Sequence, residues 1–365
     1  MKPNILHVFP NFKVGGAQMR FALLSEKLSE NFSHTILSID GNQSAAAILP
    51  KGADVIFARK PPAPRLLPMR LRAYRKKLRI LAPDLLITYN WGSIEWAAAN
   101  SNTPHIHFED GFGPEEVHRQ LRRRVLFRRL ALRHSHVVVP SLLLRDLATR
   151  VWRLNADRVQ YIPNGIEPRT GFTTHLEDLA PGLPPELPRI AWVGALRAEK
   201  NLIKLLRAFA PLKDSAVLLV VGDGPERERT LCEAEKLSLG PSCRFLGNRT
   251  DVRDILQQCD IMALSSDTEQ MPISILEGMD AGLAIASVDV GDVRHMVSPQ
   301  NKPLITTRSE QALHTALKTL VTEKGVRRAV GAANRAHLRQ HYGFQTMLSA
   351  YQKLFANPLS IKSVP

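Results

Sequence analysis

The chain runs through one alternation twice. Short apolar runs alternate with helix-spaced segments on both sides of a proline-rich break. In the first series residues 5–9, 34–39, 54–57, 85–89, 105–108 and 136–139 read as strands. Residues 17–29 between the first two set Phe21, Leu24 and Leu28 on one helical face. A second series begins at 190–193 and continues at 216–221, 244–246, 261–264 and 284–288. Strand–helix alternation predicts parallel sheets covered by helices on both faces. The expected class is therefore α/β, with two Rossmann-like domains facing a cleft. At 365 residues the chain is long enough for each half to bury its own core. The turn Ile162-Pro163-Asn164-Gly165-Ile166 and the prolines at 168, 181, 184, 185 and 188 read as the interdomain linker. The expected domains are 1–168, 169–340 and a closing helix and tail over 341–365, packing back on the first domain.

In open parallel sheets, ligands bind beyond the carboxyl ends of the strands. The residues with most chemistry fall there. The run Ser265-Ser266-Asp267-Thr268-Glu269-Gln270-Met271-Pro272-Ile273-Ser274-Ile275-Leu276-Glu277 follows a strand. Pro272 suits the first turn of a helix and Gly282 its stop. Free N–H groups at such a start can hold phosphate oxygens. Glu269 before the helix and Glu277 within it are expected to reach one ligand. Read alone, they are equally a surface acid and a first-turn acid. The turn Gly194-Ala195-Leu196-Arg197-Ala198-Glu199-Lys200-Asn201 brings two cations beside a glycine. Arg197, by bidentate hydrogen bonds, and Lys200, as a point charge, can neutralise a diphosphate. Gly222-Asp223-Gly224 is a third strand-ending turn, and Gly15-Gly16 a fourth. Neither makes a dinucleotide fingerprint or a Walker A pattern. The segment His105-Ile106-His107-Phe108-Glu109-Asp110-Gly111 clusters histidines and acids at a strand end. His105 and His107 are read here as facing opposite sides of the strand. That reading favours a polar active-site wall, built from His107, Glu109 and Asp110, over a metal site.

Taken in order, these segments resemble the retaining GT-B glycosyltransferases of family four, also called group 1. The resemblance is dense from Ile162-Pro163-Asn164-Gly165 to about Gly291. It includes Gly194–Asn201, Gly222-Asp223-Gly224-Pro225-Glu226-Arg227, Phe245-Leu246-Gly247 and the acids Glu269 and Glu277. In the first half only Gly15-Gly16 and the region from His107 to Gly113 match, loosely. The resemblance implies an acceptor-side first domain and a nucleotide-sugar-binding second domain. Glu277 would hold the ribose, and Glu269 would lie at the donor sugar. Arg197 and Lys200 would bind the diphosphate, with Gly15, Gly16, Gly194, Gly222 and Gly224 close by. Met271, Pro272 and Ile273 would contact phosphate or sugar. It implies transfer of a hexosyl group from a UDP- or GDP-type sugar to a glycan or lipid-linked hydroxyl, in cell-surface polysaccharide, lipopolysaccharide or glycolipid synthesis. No metal or cofactor is expected, and no Asp-x-Asp motif is present. Three positions depart from the pattern: Asp110 before Gly111, Asp280 after Met279, and Gly291-Asp292-Val293-Arg294-His295. A nucleotide-sugar epimerase or hydrolase of the same fold, or a non-catalytic nucleotide-sugar-binding subunit, stays open on those grounds.

The formal charge of +15 calls for anionic partners. Residues 65–79 carry Arg65, Arg70, Arg72, Arg75, Lys76, Lys77 and Arg79. Residues 119–133 carry Arg119, Arg122, Arg123, Arg124, Arg128, Arg129 and Arg133. Both mix these with apolar residues at helical spacing, which reads as binding to an anionic membrane surface. Nucleic acid is disfavoured, because no nucleic-acid-binding fold is recognisable and aromatic content is only 6%. The cysteines at 232, 243 and 259 form no Cys-x-x-Cys pair, which argues against a disulfide framework. No signal-peptide-like start or spanning run is seen. The expectation is a cytoplasmic protein, peripheral at the inner membrane face.

Overall fold

The computed structural model describes residues 2–112, 116, 120–169 and 171–356. The chain divides into two compact units, 1–163 with 347–365, and 164–346. In the first, seven parallel strands take the order β3-β2-β1-β4-β5-β6-β7. They are β1 Asn4–Phe9, β2 Ser33–Ser38, β3 Val55–Phe57, β4 Leu85–Tyr89, β5 His105–Phe108, β6 His136–Val139 and β7 Val159–Tyr161. Its helices include α1 Gly16–Leu28, α2 Leu67–Leu81, α3 Ile94–Ala99, α4 Arg122–Ala131 and α5 Leu142–Asp146, with a π-helical turn after α5 at Leu147–Val151. The second unit has six strands in the order β10-β9-β8-β11-β12-β13. They are β8 Arg189–Val193, β9 Val217–Val221, β10 Cys243–Gly247, β11 Ile261–Leu264, β12 Ala284–Val288 and β13 Ile305–Thr306. Its helices include α6 Leu176–Leu179, α7 Leu202–Phe209, α8 Arg227–Lys236, α9 Val252–Leu256, α10 Ile273–Asp280, α11 Val293–Met296, α12 Glu310–Thr322 and α13 Lys324–His341. The last helix, α14 Phe344–Ala356, crosses from the second unit into the first.

The strands form where apolar runs are covered on both faces, as parallel sheets require. All of Val217–Val221 is buried. Helix α7 buries Leu202, Leu205, Leu206 and Phe209, one helical face, against the second sheet. The side chain of Asn201, itself left-handed at φ 43°, caps α7 by accepting from the Lys204 amide. Helix α10 stops through Gly282 at φ 76°, with Leu283 N–H donating to the Gly278 carbonyl at 2.9 Å.

Two readings need correction. The proline-rich stretch is not a free linker. The chain divides at Pro163 and Asn164, and Leu176, Ala180 and Leu183 pack on Val217, Leu219 and Val221 within the second unit. His105 and His107 do not face opposite sides of β5. Residues two apart share a face of a strand, and both rings meet the Thr88 hydroxyl, at 2.8 and 2.7 Å. Strands β7 and β13 carry no clear apolar signal in the sequence, because each is short, at a sheet edge and partly polar.

Candidate functional site

In the second unit the turns after β8 and β9 lie backbone against backbone. Gly194 N–H donates to Val221 O at 3.0 Å, Leu196 N–H to Asp223 O at 3.0 Å, and Glu226 N–H to Leu196 O at 2.9 Å. This contact is why glycines stand there. A Cβ at Gly222, whose φ is 139°, would lie 1.9 Å from Gly194 O, and one at Gly224 would lie 2.5 Å from Leu196 O. Arg197 leaves this turn with its side chain 63% exposed and 3.9 Å from Glu199.

The loop between β11 and α10 is fastened to the same turn. Asp267 N–H donates to Glu199 O at 2.8 Å. The Asp267 carboxylate accepts from Asn201 Nδ2 at 2.9 Å and Lys204 Nζ at 2.6 Å. Glu269 then accepts from Lys200 Nζ at 2.5 Å and Ser266 Oγ at 2.7 Å. Thus Lys200 and Glu269, expected as separate ligand contacts, pair with each other. Gly291, at φ 55°, closes the loop from behind, since a Cβ there would sit 2.5 Å from Gln270 O. Ser266, Asp267, Asn201 and Lys204 were not singled out from the sequence. Their role is visible only once two strand ends are adjacent.

Pro272 is the residue before α10 rather than its first helical residue. Ile275 N–H donates to Pro272 O at 3.1 Å, and for the Ile273 and Ser274 N–H groups that open α10 no partner is seen among the described residues. Met271 is buried, with its sulfur accepting from Asn164 N–H at 3.2 Å. Glu277 is half-buried on α10, and no hydrogen bond to its carboxylate is seen among the described residues. Burial pushes its carboxyl up to about 7, against the pull of Arg253 and with a further push from Asp280. Asp280 accepts from Arg253 Nη2 at 2.5 Å and from the Arg169 amide at 3.0 Å. It ties α10 to α9 and to the chain entering the unit.

In the first unit, Glu109 and Asp110 leave β5 in opposite senses. Glu109 is fully buried, with Oε2 3.3 Å from Arg128 Nε and 3.6 Å from His107 Nε2. Arg128 also meets Glu116 at 3.0 Å, and its guanidinium lies about 5 Å from the rings of Trp91 and Trp152. Burial raises the Glu116 carboxyl, but its bonds to Arg128 outweigh that and hold it below the usual range. Asp110 keeps a partly exposed carboxylate, held by both nitrogens of Arg20, Nη1 at 2.7 Å and Nη2 at 2.8 Å. Arg20 sits in α1, just after Gly15 and Gly16, and gave no signal in the sequence. Of the three candidates on this strand end, Asp110 is the one with access to solvent. Gly113 lies outside the described residues. So does Arg119.

Two family models match the chain in tandem. The model described as Glycosyltransferase Family 4 matches residues 14–170, and that described as Glycosyl transferases group 1 matches residues 178–337. The chain is 31% identical over 180 residues to the 2-deoxystreptamine N-acetyl-D-glucosaminyltransferase of Streptomyces fradiae, covering 47% of this chain and 42% of that protein. It is 26% identical over 212 residues to the lipopolysaccharide core biosynthesis glycosyltransferase LpsD of Rhizobium meliloti, covering 58% of this chain and 61% of the relative. The chain therefore spans less than two thirds of these relatives. The crystal structure of Anabaena Alr3699/HepE in complex with UDP superposes with a TM-score of 0.83 at 18% identity, over 98% of this chain and 100% of that one. The superposition shows a shared GT-B fold. With one model on each unit and the fold in agreement, the chain belongs to the family 4, group 1 glycosyl transferases.

Proposed function

We propose that the protein is a retaining glycosyltransferase moving a sugar from a nucleoside diphosphate sugar to a hydroxyl of a glycan or lipid-linked acceptor. The observation that carries this is the second-unit strand-end cluster. One loop set holds the Lys200–Glu269 pair, the exposed Arg197 and the start of α10, with the unpaired Glu277 one turn further in. Glu277 would take the ribose hydroxyls, a pair of donors that suits a carboxylate without protein partners. Arg197, Lys200 and the opening amides of α10 would stabilise the diphosphate as it leaves, a role that needs no metal ion. The anomeric C–O bond to the diphosphate breaks while the acceptor oxygen bonds the same carbon. The acceptor proton passes to a diphosphate oxygen on that face, which preserves configuration. Glu269 would face the donor sugar, with Lys200 fixing its orientation. The HepE structure holds UDP, which favours a UDP-type donor. LpsD acts, by its name, in lipopolysaccharide core synthesis, which favours a cell-surface glycan product.

A thermal-shift screen against UDP, GDP, ADP and dTDP sugars without added metal tests the reading. One nucleotide should stabilise the wild type, and binding should weaken at least about tenfold in Glu277→Ala. Arg197→Ala should chiefly lower turnover. Full activity in both variants would sink the assignment.

The membrane-facing part of the proposal rests on α4. This helix lays Val125, Phe127 and Ala131 on the core and buries Arg128, but it leaves Leu126 and Leu130 56% and 57% exposed beside Arg122, Arg123 and Arg129. Exposed leucines among arginines suit a headgroup boundary. On α2 one cation is already spent, because Arg70 pairs with Glu95 at 2.5 Å. No helix among the described residues is long and apolar enough to cross a membrane.

A further inference from the structure

A cavity of about 460 Å³ opens at the amino-terminal edge of the first sheet. It is framed by the segment entering β5, the segment entering β6 and Arg158 just before β7. Glu109 and Asp110 lie past the other end of β5, so this cavity is separate from the candidate transfer site. Its volume falls within the range of roughly 300–1,000 Å³ seen for small-molecule sites.

The lining has a single electrostatic sense. Arg133, Arg158, His134 and His136 line it together with Asn100 and Asn102, and no Asp or Glu is among its described lining residues. Several buried or half-buried arginines elsewhere among the described residues have carboxylates. Arg20 has Asp110, Arg70 has Glu95, Arg128 has Glu109 and Glu116, and Arg253 has Asp280. Here the one side-chain bond seen for Arg158 among the described residues is Nη1 to the His134 carbonyl, at 2.7 Å. That bond fixes the guanidinium at the rim and leaves N–H groups for a ligand. For Arg133 no partner is seen among the described residues. Its neighbours Ala97, Phe127 and Leu130 give the cavity an apolar floor. His136 feels this unbalanced charge: burial first, then Arg158, lower its affinity for a proton. The back wall is rigid, because His105 is held by Ser135 Oγ at 2.7 Å and Thr88 Oγ1 at 2.8 Å.

We propose that this cavity binds a phosphate-bearing small molecule or headgroup. The phosphate would sit between Arg158, Arg133 and the two histidines, and its organic portion on the Phe127–Leu130 floor. The two guanidiniums supply the charge and paired N–H donors that a phosphate accepts, and the imidazoles and the Asn102 amide can add single donors, with no acid in the described lining to repel it. This stands apart from the donor pocket and does not depend on the proposed transfer reaction.

The test uses the full chain carrying ¹³C-labelled histidine, titrated with inorganic phosphate and with glycerol 3-phosphate. Saturable movement of the His134 and His136 signals is expected. Arg158→Ala should weaken it by about tenfold or more, the usual loss when one charge-assisted contact goes. Arg133→Ala should weaken it by about threefold or more, and this exposed side chain can be removed without disturbing the fold. Arg197→Ala, at the donor pocket, should leave it unchanged. Co-sedimentation with phosphatidylcholine vesicles containing phosphatidic acid separates the sources. Vesicle binding lost in Arg158→Ala would make the ligand a lipid headgroup, and response to soluble phosphates alone would make it a free phosphate ester. No saturable shift of either histidine at millimolar probe, or shifts equal to wild type in both arginine variants, would overturn the proposal.

Discussion

At the scale of single residues, burial decides which charges stay open to solvent and which hold the protein together. Glu277 is the clearest case. Its native value of about 7 stands above the ordinary carboxyl value of 4.5. The native chain therefore keeps a proton that the unfolded chain has lost. The stability this confers is fully present below about pH 4.5 and is lost as pH rises through about 7. The melting temperature of the wild type should thus fall from pH 5 to pH 8 relative to Glu277→Gln, which has no such proton. Nucleotide affinity should move the other way, because ribose hydroxyls bind the ionised form. Comparing nucleotide titrations of the two proteins at those pH values checks this. Arg128 belongs to the other class. Arg128→Ala would leave Glu109 buried without its cation and Glu116 with Arg124 alone, at a cost of about 3–5 kcal/mol in chemical denaturation.

At the scale of elements, strand-end turns position the chemistry, and glycines let those turns touch. Gly224→Ala forces a methyl group into the Leu196 carbonyl. It should cost at least about 1–3 kcal/mol and weaken donor binding together with stability. Gly41→Ala offers a contrast, since its φ of 83° strains an added side chain but nothing lies within 4 Å. That variant should lose some stability in denaturant while keeping full donor affinity. The motifs Gly194–Asn201, Gly222–Arg227 and the acids at 269 and 277 were all legible, because each combines a strand, a turn and a residue type with one chemistry. The pairing of Lys200 with Glu269 was not legible, because those residues are distant in sequence and meet only when β8 and β11 are neighbours.

At the scale of the whole molecule, the closing helix belongs to both units. Beyond Met347 it lays Tyr351 and Phe355 on the first unit, 5.7 Å from Phe108 and 6.1 Å from Phe32 in ring-to-ring distance. A chain ended after Gly343 should expose that surface and bind a hydrophobic dye far more strongly than the full chain. The charge of +15 is also a whole-molecule property. If α2 and α4 meet anionic lipid, co-sedimentation with anionic vesicles should be strong at low salt and fade as the screening length falls toward 8 Å near physiological ionic strength. Retention of binding in molar salt would mean that Leu126 and Leu130, rather than the arginines, hold the surface.

The sequence alone determined the doubled α/β architecture, most strand positions and the strand-end loops that carry the candidate site. Those follow from local periodicity and from turn chemistry, which neighbouring residues encode. Only the tertiary structure decided which charged residue faces what. It buried Glu109 and Arg128, left Asp110 at the surface on Arg20, locked Lys200 to Glu269 and folded the proline-rich stretch onto the second sheet. Each outcome depends on which strands lie side by side and how deeply a group is removed from water. Neither quantity is carried by any short stretch of sequence.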